Sequence, residues 1–144
     1  MKENLLVSSC LLGNNTKYNG KNNYIDKIEL IKEKYNVIVI CPEVMGGLST
    51  PRNPSEILGD KVISSEGVDV TKEFVKGSII ACELAKKHNA TKALLKNGSP
   101  SCGKNKIYDG SFSGVKIVGS GVAASMLAKQ NIIIYSEDEI DELL

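Results

Sequence analysis

The sequence contains no tryptophan, only two phenylalanines and a single histidine, His88. A core built from this chain must therefore be mainly aliphatic. No apolar run approaches the roughly 20 residues that a membrane-spanning helix needs, and we expect no membrane partner. An excess of one charge is also lacking, because 18 basic and 17 acidic residues give a net charge of +1. That balance predicts no general attraction to nucleic acid or to an anionic membrane surface.

A secretory leader is also lacking, because Met1–Asn4 leads directly into a predicted strand without an apolar segment or cleavage site. We therefore expect a cytoplasmic protein, in which the four cysteines are reduced thiols rather than disulfides. The length of 144 residues predicts one domain, covering 1–144.

Apolar, strand-like runs alternate with amphipathic, helix-like segments along the chain. This alternation predicts an α/β protein: a single-domain, three-layer, Rossmann-like fold with a mostly parallel sheet and helices on both faces. The run 37–40 is apolar on both faces, which predicts a central strand. Predicted strands lie at 4–9, 37–40, 91–96, 115–118 and 132–135; predicted helices lie at 25–34, 71–88 and 119–130, with a last one after Ser136.

The long segment 42–56 carries Pro42, Pro51 and Pro54 together with two glycines. Proline cannot donate a backbone hydrogen bond and glycine allows unusual torsions, so this segment is predicted to be a loop. A loop of this length in a compact domain is more often functional than not. The residues that follow, 57–70, are predicted to form either a short hairpin or an irregular excursion around 61–63.

Three of the four cysteines lie where a predicted strand gives way to a loop. Cys10 follows the first strand, Cys41 the second, and Cys102 the strand at 91–96. In an open parallel sheet the carboxyl ends of the strands share one edge, where ligands bind. We therefore expect the three thiols to converge on one pocket.

Three converging thiolates would hold a metal centre that keeps one coordination position open for chemistry. A closed zinc site needs four ligands, typically in close-spaced pairs, and the sequence has no C-x-x-C pair. A thiol-only redox enzyme lacks the same paired motif. An iron–sulfur cluster accepts ligands scattered along the chain, and an iron without a protein ligand is a Lewis acid. The residues alone favour the cluster and leave the other two alternatives open.

Cys82 differs from the other three cysteines because it lies inside a predicted helix. Val75, Ile79 and Cys82 recur at helical spacing and predict one apolar face that packs on the core. Buried in this way, a free cysteine behaves as a small hydrophobic residue. We assign Cys82 a structural role.

Polar residues next to the cysteines are candidates for proton transfer. Glu43 lies two residues after Cys41, where a carboxylate near a cluster is suited to general acid or base catalysis. Ser99 and Ser101 lie close to Cys102, and their hydroxyls are candidate donors to sulfide or substrate.

Three further segments have both a functional and a structural interpretation. Arg52 is a candidate to bind a carbonyl or an anion through its forked donors, but we favour an ion pair with Glu56 or Asp60. The glycines at 119–121 are compatible with a small phosphate-binding turn, but tight helix packing is favoured because the full G-x-G-x-x-G motif is lacking. The segment 108–110 is predicted to be a turn.

Six sequence blocks resemble the signatures of the thiouracil desulfidase (thiouracil desulfurase) family. The similarity extends over essentially the whole chain, and the three cysteine blocks are long and rich in uncommon residue types. The blocks are VSSCLLG at 7–13, CPEV at 41–44, GGLSTPR at 46–52, SPSCG at 99–103, IYDGSF at 107–112 and GSGV at 119–122.

The resemblance implies a [4Fe-4S] cluster with three cysteine ligands, which map onto Cys10, Cys41 and Cys102. It implies conversion of a thiolated uracil to uracil with release of hydrogen sulfide, and a small-molecule thiolated pyrimidine as the partner. The resemblance makes Glu43, Ser99 and Ser101 the catalytic candidates. In the matching blocks, Ser9, Arg52 and Asp109 are the candidate substrate contacts. Some relatives act on thiolated tRNA through an extra domain, and we do not expect tRNA here because this chain shows neither such a domain nor a basic excess.

Two other kinds of function remain open at this point. A different enzyme, such as a dehydratase, also uses a cluster with an open iron. A non-enzymatic iron–sulfur or sulfur-relay protein would expose its cluster to solvent and would lack a cavity of substrate size. The sequence predicts neither the position of the thio group on the substrate nor the oligomeric state.

Overall fold

The computed structural model describes residues 2–144. Within this range, strands β1–β8 are Glu3–Ser8, Tyr35–Ile40, Ser55–Leu58, Lys61–Ser64, Lys92–Leu95, Lys106–Tyr108, Lys116–Val118 and Ile133–Ser136. Helices α1–α4 are Ile28–Lys34, Pro42–Met45, Thr71–Lys87 and Val122–Lys129. Short 3₁₀ helices follow β1 and β8, at Ser9–Leu12 and Glu137–Glu142.

Four parallel strands form the central sheet, in the order β2-β1-β5-β8. Leu5 of β1 lies opposite Val37 of β2 on one side and Lys92 of β5 on the other. Helices cover both faces of this sheet, which confirms the predicted three-layer α/β architecture. The carboxyl ends of all four strands meet at one edge, where a ligand is expected in this kind of fold.

The two faces of the sheet bury separate and mainly aliphatic cores, as the shortage of aromatic residues requires. Helices α3 and α4 cover one face with a cluster that includes Leu6, Ile40, Ala81, Ala85, Ala93, Leu95, Leu127 and Ile134. Helix α1 and the 3₁₀ helices cover the other with a cluster that includes Leu5, Val7, Leu11, Ile28, Ile31, Leu94, Ile140 and Leu143. None of the helices in the described range has the length and apolar character needed to cross a membrane.

The position of β2 corrects one prediction. This strand forms an edge of the sheet rather than its centre, and Val39 is 47% exposed. An apolar, β-branched run favours a strand, but the order of strands depends on where the connecting segments cross the sheet. The two central strands are β1, which pairs with β2 and β5, and β5, which pairs with β1 and β8.

The predicted fourth strand at 115–118 also lies elsewhere. Strand β7 pairs antiparallel with β6 in a separate two-stranded hairpin, with Ile107 opposite Ile117. The fourth strand of the main sheet is β8. A three-residue apolar strand carries no local information about its partner. The hairpin predicted within 57–70 is present as β3 and β4, which begins slightly earlier at Ser55.

Helix α3 buries a different face from the predicted one. Cys82 is buried as predicted, but Ile79 is 47% exposed and lies with Val75 along an open groove. The periodicity argument counted large apolar residues and therefore chose the wrong face. The buried face consists of Phe74 and small residues: Gly77, Ser78, Ala81, Cys82 and Ala85.

The segment 42–56 is not entirely a loop, because α2 occupies its first turn with Pro42 in the first helical position, which suits proline. Two glycines allow α2 to approach α3 at backbone contact. A Cβ atom on Gly77 would lie 1.6 Å from the Pro42 carbonyl oxygen, and one on Gly46 would lie 1.9 Å from the Glu73 carbonyl oxygen. This contact fixes the position of α2 beside the carboxyl edge of the sheet.

Candidate functional site

Three of the four cysteines lie at the carboxyl edge of the sheet. Cys10 lies in the 3₁₀ helix after β1, Cys41 directly follows β2, and Cys102 lies in the loop after β5. These strands are neighbours in the order β2-β1-β5, so the segments that follow them reach the same region. All three cysteines line one cavity of about 260 Å³. The structure thus brings them together as the strand-end argument predicts.

The loop that carries Cys102 is held by hydrogen bonds and by close packing against α4. The Ser99 hydroxyl accepts the backbone N–H groups of Ser101 and Cys102, each at 3.1 Å. The first turn of α4 donates its N–H groups to the carbonyl oxygens of Pro100 and Ser101. A Cβ atom on Gly121 would lie 2.5 Å from the Ser101 carbonyl. The glycines at 119–121 therefore serve helix packing, the interpretation that the sequence favoured.

A polar loop folds back over Cys10. The Cys10 carbonyl oxygen accepts the backbone N–H groups of Gly13 at 3.2 Å and Asn23 at 2.9 Å. Gly13 ends the 3₁₀ helix with φ of 92°, in the left-handed region that glycine adopts readily. Asn23 and Cys10 both line the cavity. This loop forms one wall of the cavity and includes Tyr18.

Burial raises the pKa of Cys102 to about 12 and also raises the pKa of Cys10. At Cys102 the hydroxyls of Ser8 and Ser101 oppose the effect of burial by hydrogen-bonding the sulfur, while Cys10 and Cys41 add to it. Cys10 and Cys41 raise the pKa of Cys102 because a negative charge on one sulfur disfavours a negative charge on another. Without a positive centre, Cys10 and Cys102 stay protonated near neutral pH, whereas a metal would displace those protons.

The donor set and its spacing fit a polynuclear group. Within residues 2–144, no three His, Cys, Asp or Glu side chains approach closely enough to hold a single metal ion. Cys10, Cys41 and Cys102 instead surround a cavity. Thiolates are the usual ligands of iron–sulfur clusters, which present several iron atoms to ligands that stand apart. The arrangement therefore favours a cluster over a structural zinc ion.

A carboxylate and two hydroxyls form a hydrogen-bond chain in the cavity wall. Ser101 Oγ donates to Glu43 Oε2 at 2.8 Å and lies 2.9 Å from Ser99 Oγ. Because the Ser101 proton points to Glu43, Ser99 is the donor in the second contact. Ser101 Oγ also lies 3.7 Å from Cys102 Sγ. The chain therefore connects Glu43 with the sulfur side of the cavity and is suited to move a proton between them.

Arg52 contacts the other oxygen of the same carboxylate. Its Nε donates to Glu43 Oε1 at 3.1 Å, and the two side chains are only 8% and 13% exposed. The expected ion pair of Arg52 with Glu56 or Asp60 is wrong, because Glu56 accepts two backbone hydrogen bonds from 110–112 instead. The remaining contacts of the guanidinium group are with Ser49 O, Thr50 Oγ1 and Thr16 O. These contacts make Arg52 a restraint on Glu43.

The two other candidate substrate contacts have different positions. Ser9 lines the cavity and is buried. Asp109 lies outside the cavity lining, and its carboxylate accepts hydrogen bonds from the backbone N–H and the hydroxyl of Ser111. The turn predicted at 108–110 is therefore present only from Asp109 onwards, because Tyr108 is the last residue of β6. The neighbouring Tyr108 lines the cavity in place of Asp109.

Several residues of the cavity wall were missed by sequence reasoning. Lys96 directly follows β5, so the strand-end argument that selected the cysteines would also have selected it. The others lie in loops or in the β6–β7 hairpin, where no local pattern indicates a cavity wall. These residues are Lys17, Tyr18, Asn23, Tyr108 and Lys116.

Comparison with known proteins places the chain in a family. The model of the family described as 2-thiouracil desulfurase matches residues 5–139. YbbK of Bacillus subtilis (strain 168), an uncharacterized protein, is 40% identical over 150 residues, covering 97% of this chain and 99% of YbbK. A solved structure of the [4Fe-4S]-dependent thiouracil desulfidase TudS is 41% identical, with a TM-score of 0.95, covering 99% of this chain and 95% of TudS. The resemblance in the sequence is thus confirmed, and the chain belongs to the 2-thiouracil desulfurase family.

Proposed function

We propose that this protein is a [4Fe-4S]-dependent desulfidase that acts on a thiolated uracil-type small molecule and gives uracil and hydrogen sulfide. The observation that carries the proposal is one cavity lined by Cys10, Cys41 and Cys102 and by the Glu43–Ser101 hydrogen-bond chain. The likeness to TudS along nearly the whole chain supports it.

The three cysteine thiolates would hold the cluster and leave one iron without a protein ligand. When bound, that iron would supply a Lewis acid for the thiocarbonyl sulfur. Polar side chains lie close to the sulfur atoms: Ser101 Oγ is 3.7 Å from Cys102 Sγ, and Ser8 and Asn23 line the same cavity. Such outer contacts orient ligands and tune the group that they hold.

Glu43 is the proposed base that takes a proton from the attacking water. Arg52 and Ser101 each contact one of its carboxylate oxygens, so the group is held in one orientation. Glu43 then gives this proton to Ser101 while the hydroxyl proton of Ser101 passes to the sulfur side of the cavity, and Ser99 holds Ser101 in place by a hydrogen bond. In the overall reaction a C–O bond replaces the C–S bond, and both water hydrogens leave with the sulfur. No oxidant or reductant is consumed.

The rest of the cavity suits a small planar ring. Tyr18 and Tyr108 contribute aromatic surface to its wall, and aromatic rings stack on planar heterocycles. The whole cavity, including the space between the cysteines, has a volume of about 260 Å³, just below the range of about 300–1,000 Å³ typical of ligand pockets. Ser9 and Arg52 line this space and remain proposed substrate contacts, whereas Asp109 would need to move to reach a ligand.

A free pyrimidine compound is the proposed substrate, rather than tRNA, because the net charge of +1 provides no general attraction for a polyanion. We also propose that residues 1–144 act as a single domain in the cytoplasm.

A cavity that contains a candidate base favours an enzyme over a sulfur-relay protein. A dehydratase-like reaction on the same cluster is the alternative that a substrate screen tests.

The direct test is anaerobic reconstitution with iron and sulfide, followed by metal analysis and an assay of hydrogen sulfide released from 2-thiouracil. The wild-type protein should take up the cluster and release sulfide. Cys41→Ala should lose both properties, because a cluster ligand is removed. Glu43→Gln should keep the cluster and lose about 100-fold or more in turnover, the usual contribution of a general base.

Two results would contradict the proposal. Unaltered turnover in Cys41→Ala would remove the cluster from the mechanism. A wild-type protein that holds the cluster, releases no sulfide from any thiolated pyrimidine and dehydrates a hydroxy acid would identify the alternative enzyme.

A further inference from the structure

Lys96 lies beside the three cysteines and is not used in the mechanism above. It is the first residue after β5 and lines the cavity. Its backbone N–H donates to Ser8 Oγ at 3.1 Å, which ties it to the end of the neighbouring strand β1. Its Nζ pairs with Glu137 Oε2 at 2.8 Å and donates to the Asn97 carbonyl at 2.8 Å. The ammonium group is therefore held in place at the carboxyl edge of the sheet.

Glu137 fixes this ammonium group from the end of β8. Its side chain is 16% exposed, and its second oxygen accepts the backbone N–H of Asn97 at 2.7 Å. An exposed Lys–Glu pair usually contributes little to stability, because ordering two long side chains costs entropy. Here the backbone N–H of Asn97 holds the Glu137 carboxylate in place, and the carboxylate in turn holds the Lys96 ammonium group.

The other cations of the cavity wall contact different groups. Arg52 is paired with Glu43. Lys17 and Lys116 lie over tyrosine rings, with Nζ 5.9 Å and 5.4 Å from the ring centres. Lys96 differs from them because its backbone is hydrogen-bonded to Ser8, two residues before Cys10.

We infer that Lys96 is the electrostatic partner of the inorganic group held by Cys10, Cys41 and Cys102, and that the paired Glu137 carboxylate moderates the effect of its charge. The inference rests on the proposed function. Three thiolates make a [4Fe-4S] group anionic, and a cation at a partly buried site stabilises an anion more than it would in water. The net charge around a cluster also sets its reduction potential, which therefore reports on Lys96 independently of turnover.

The test measures the reduction potential of the cluster in the reconstituted full-length protein. Lys96→Met should shift the potential to a more negative value, because the added electron loses a nearby positive charge. Glu137→Gln keeps a hydrogen-bond acceptor for Asn97 but removes a negative charge, so it should shift the potential in the opposite direction. Lys96→Arg should restore a value close to that of the wild type.

The chain offers a matched control in Lys104. It pairs with Glu139 at 2.6 Å with side-chain exposures of 31% and 30%, but it does not line the cavity. Lys104→Met should leave the potential unchanged. In a second readout, a chelator should remove iron from Lys96→Met roughly 10-fold faster than from the wild type, the lower end of the usual effect of losing an outer contact.

Each outcome decides the inference. An unchanged potential in Lys96→Met, or shifts of the same sign in Lys96→Met and Glu137→Gln, would overturn it and leave the desulfidase proposal intact. Failure of Lys96→Met to take up a cluster that Lys96→Arg accepts would support it, since Arg keeps the positive charge that Met lacks. A wild-type protein that takes up no cluster would overturn the proposed function and the inference with it.

Discussion

Cys82 and Cys102 are equally buried, with exposures of 6% and 5%, and both belong to the hydrophobic cluster under α3 and α4. Their immediate surroundings differ. Cys82 lies inside α3 near Ala81 and Ala85, whereas Cys102 lies in a loop at the sheet edge, where Ser101 Oγ is 3.7 Å from its sulfur. Burial alone therefore does not distinguish a structural cysteine from a candidate ligand. Polar partners at the sulfur and neighbouring thiols do.

Exchange of each cysteine for alanine should give the largest contrast. Cys102→Ala should lose the cluster and at least about 100-fold in sulfide release, because even contacts outside the ligand set contribute about 10- to 100-fold. Cys82→Ala should keep full iron content and activity, with a loss of about 1 kcal/mol in the free energy of unfolding. Metal analysis, the sulfide assay and urea unfolding measure the three quantities. Equal iron loss in both variants would remove the distinction.

Gly77→Ala tests the contact between α2, which follows Cys41, and α3, which carries Cys82. The added Cβ would lie 1.6 Å from the Pro42 carbonyl oxygen, so α2 must shift and move Cys41 and Glu43 with it. We expect a loss of about 1–3 kcal/mol in the free energy of unfolding, as for other overpacked sites, together with lower sulfide release.

The sign of that stability change is the informative part. In an unhindered helix, exchange of glycine for alanine stabilises by up to about 1 kcal/mol. Lys76→Ala, at the exposed neighbouring position, is the control and should change stability by no more than about 0.5 kcal/mol. A stabilised Gly77→Ala protein with full activity would show that α2 does not depend on this contact.

The smallest expected effect is a pH dependence at Cys82. Burial raises its pKa above the ordinary value of 9.0, and the charge of Glu83 adds to the shift. The neutral thiol therefore contributes stability below that value, which is lost as the pH rises towards the higher pKa of the folded state. The difference in free energy of unfolding between the apoprotein and its Cys82→Ala variant should narrow between about pH 8 and about pH 10. A constant difference over this range would contradict the assigned shift.

The convergence of Cys10, Cys41 and Cys102 was predictable because it required only parallel strands and the position of each cysteine after one of them. The capping box of Ser136 and Glu139 was predictable for the same kind of reason, since it depends on local spacing. Predictions that needed a specific partner failed. The β7 strand lies in a hairpin, and Arg52 pairs with Glu43 rather than with the acidic residues that follow it in sequence.

The amino-acid sequence alone was enough to predict the class of fold, the convergence of three cysteines at the carboxyl edge of the sheet and, through its motifs, the family. The tertiary structure decided which face of α3 is buried and which side chains meet across long separations, such as Ser101 with Glu43 and Asn97 with Glu137. Periodicity and turn chemistry act over a few residues, so they can be read locally. Contacts between distant segments depend on how closely backbones approach, and here glycines and other small residues at helix and loop contacts set that distance.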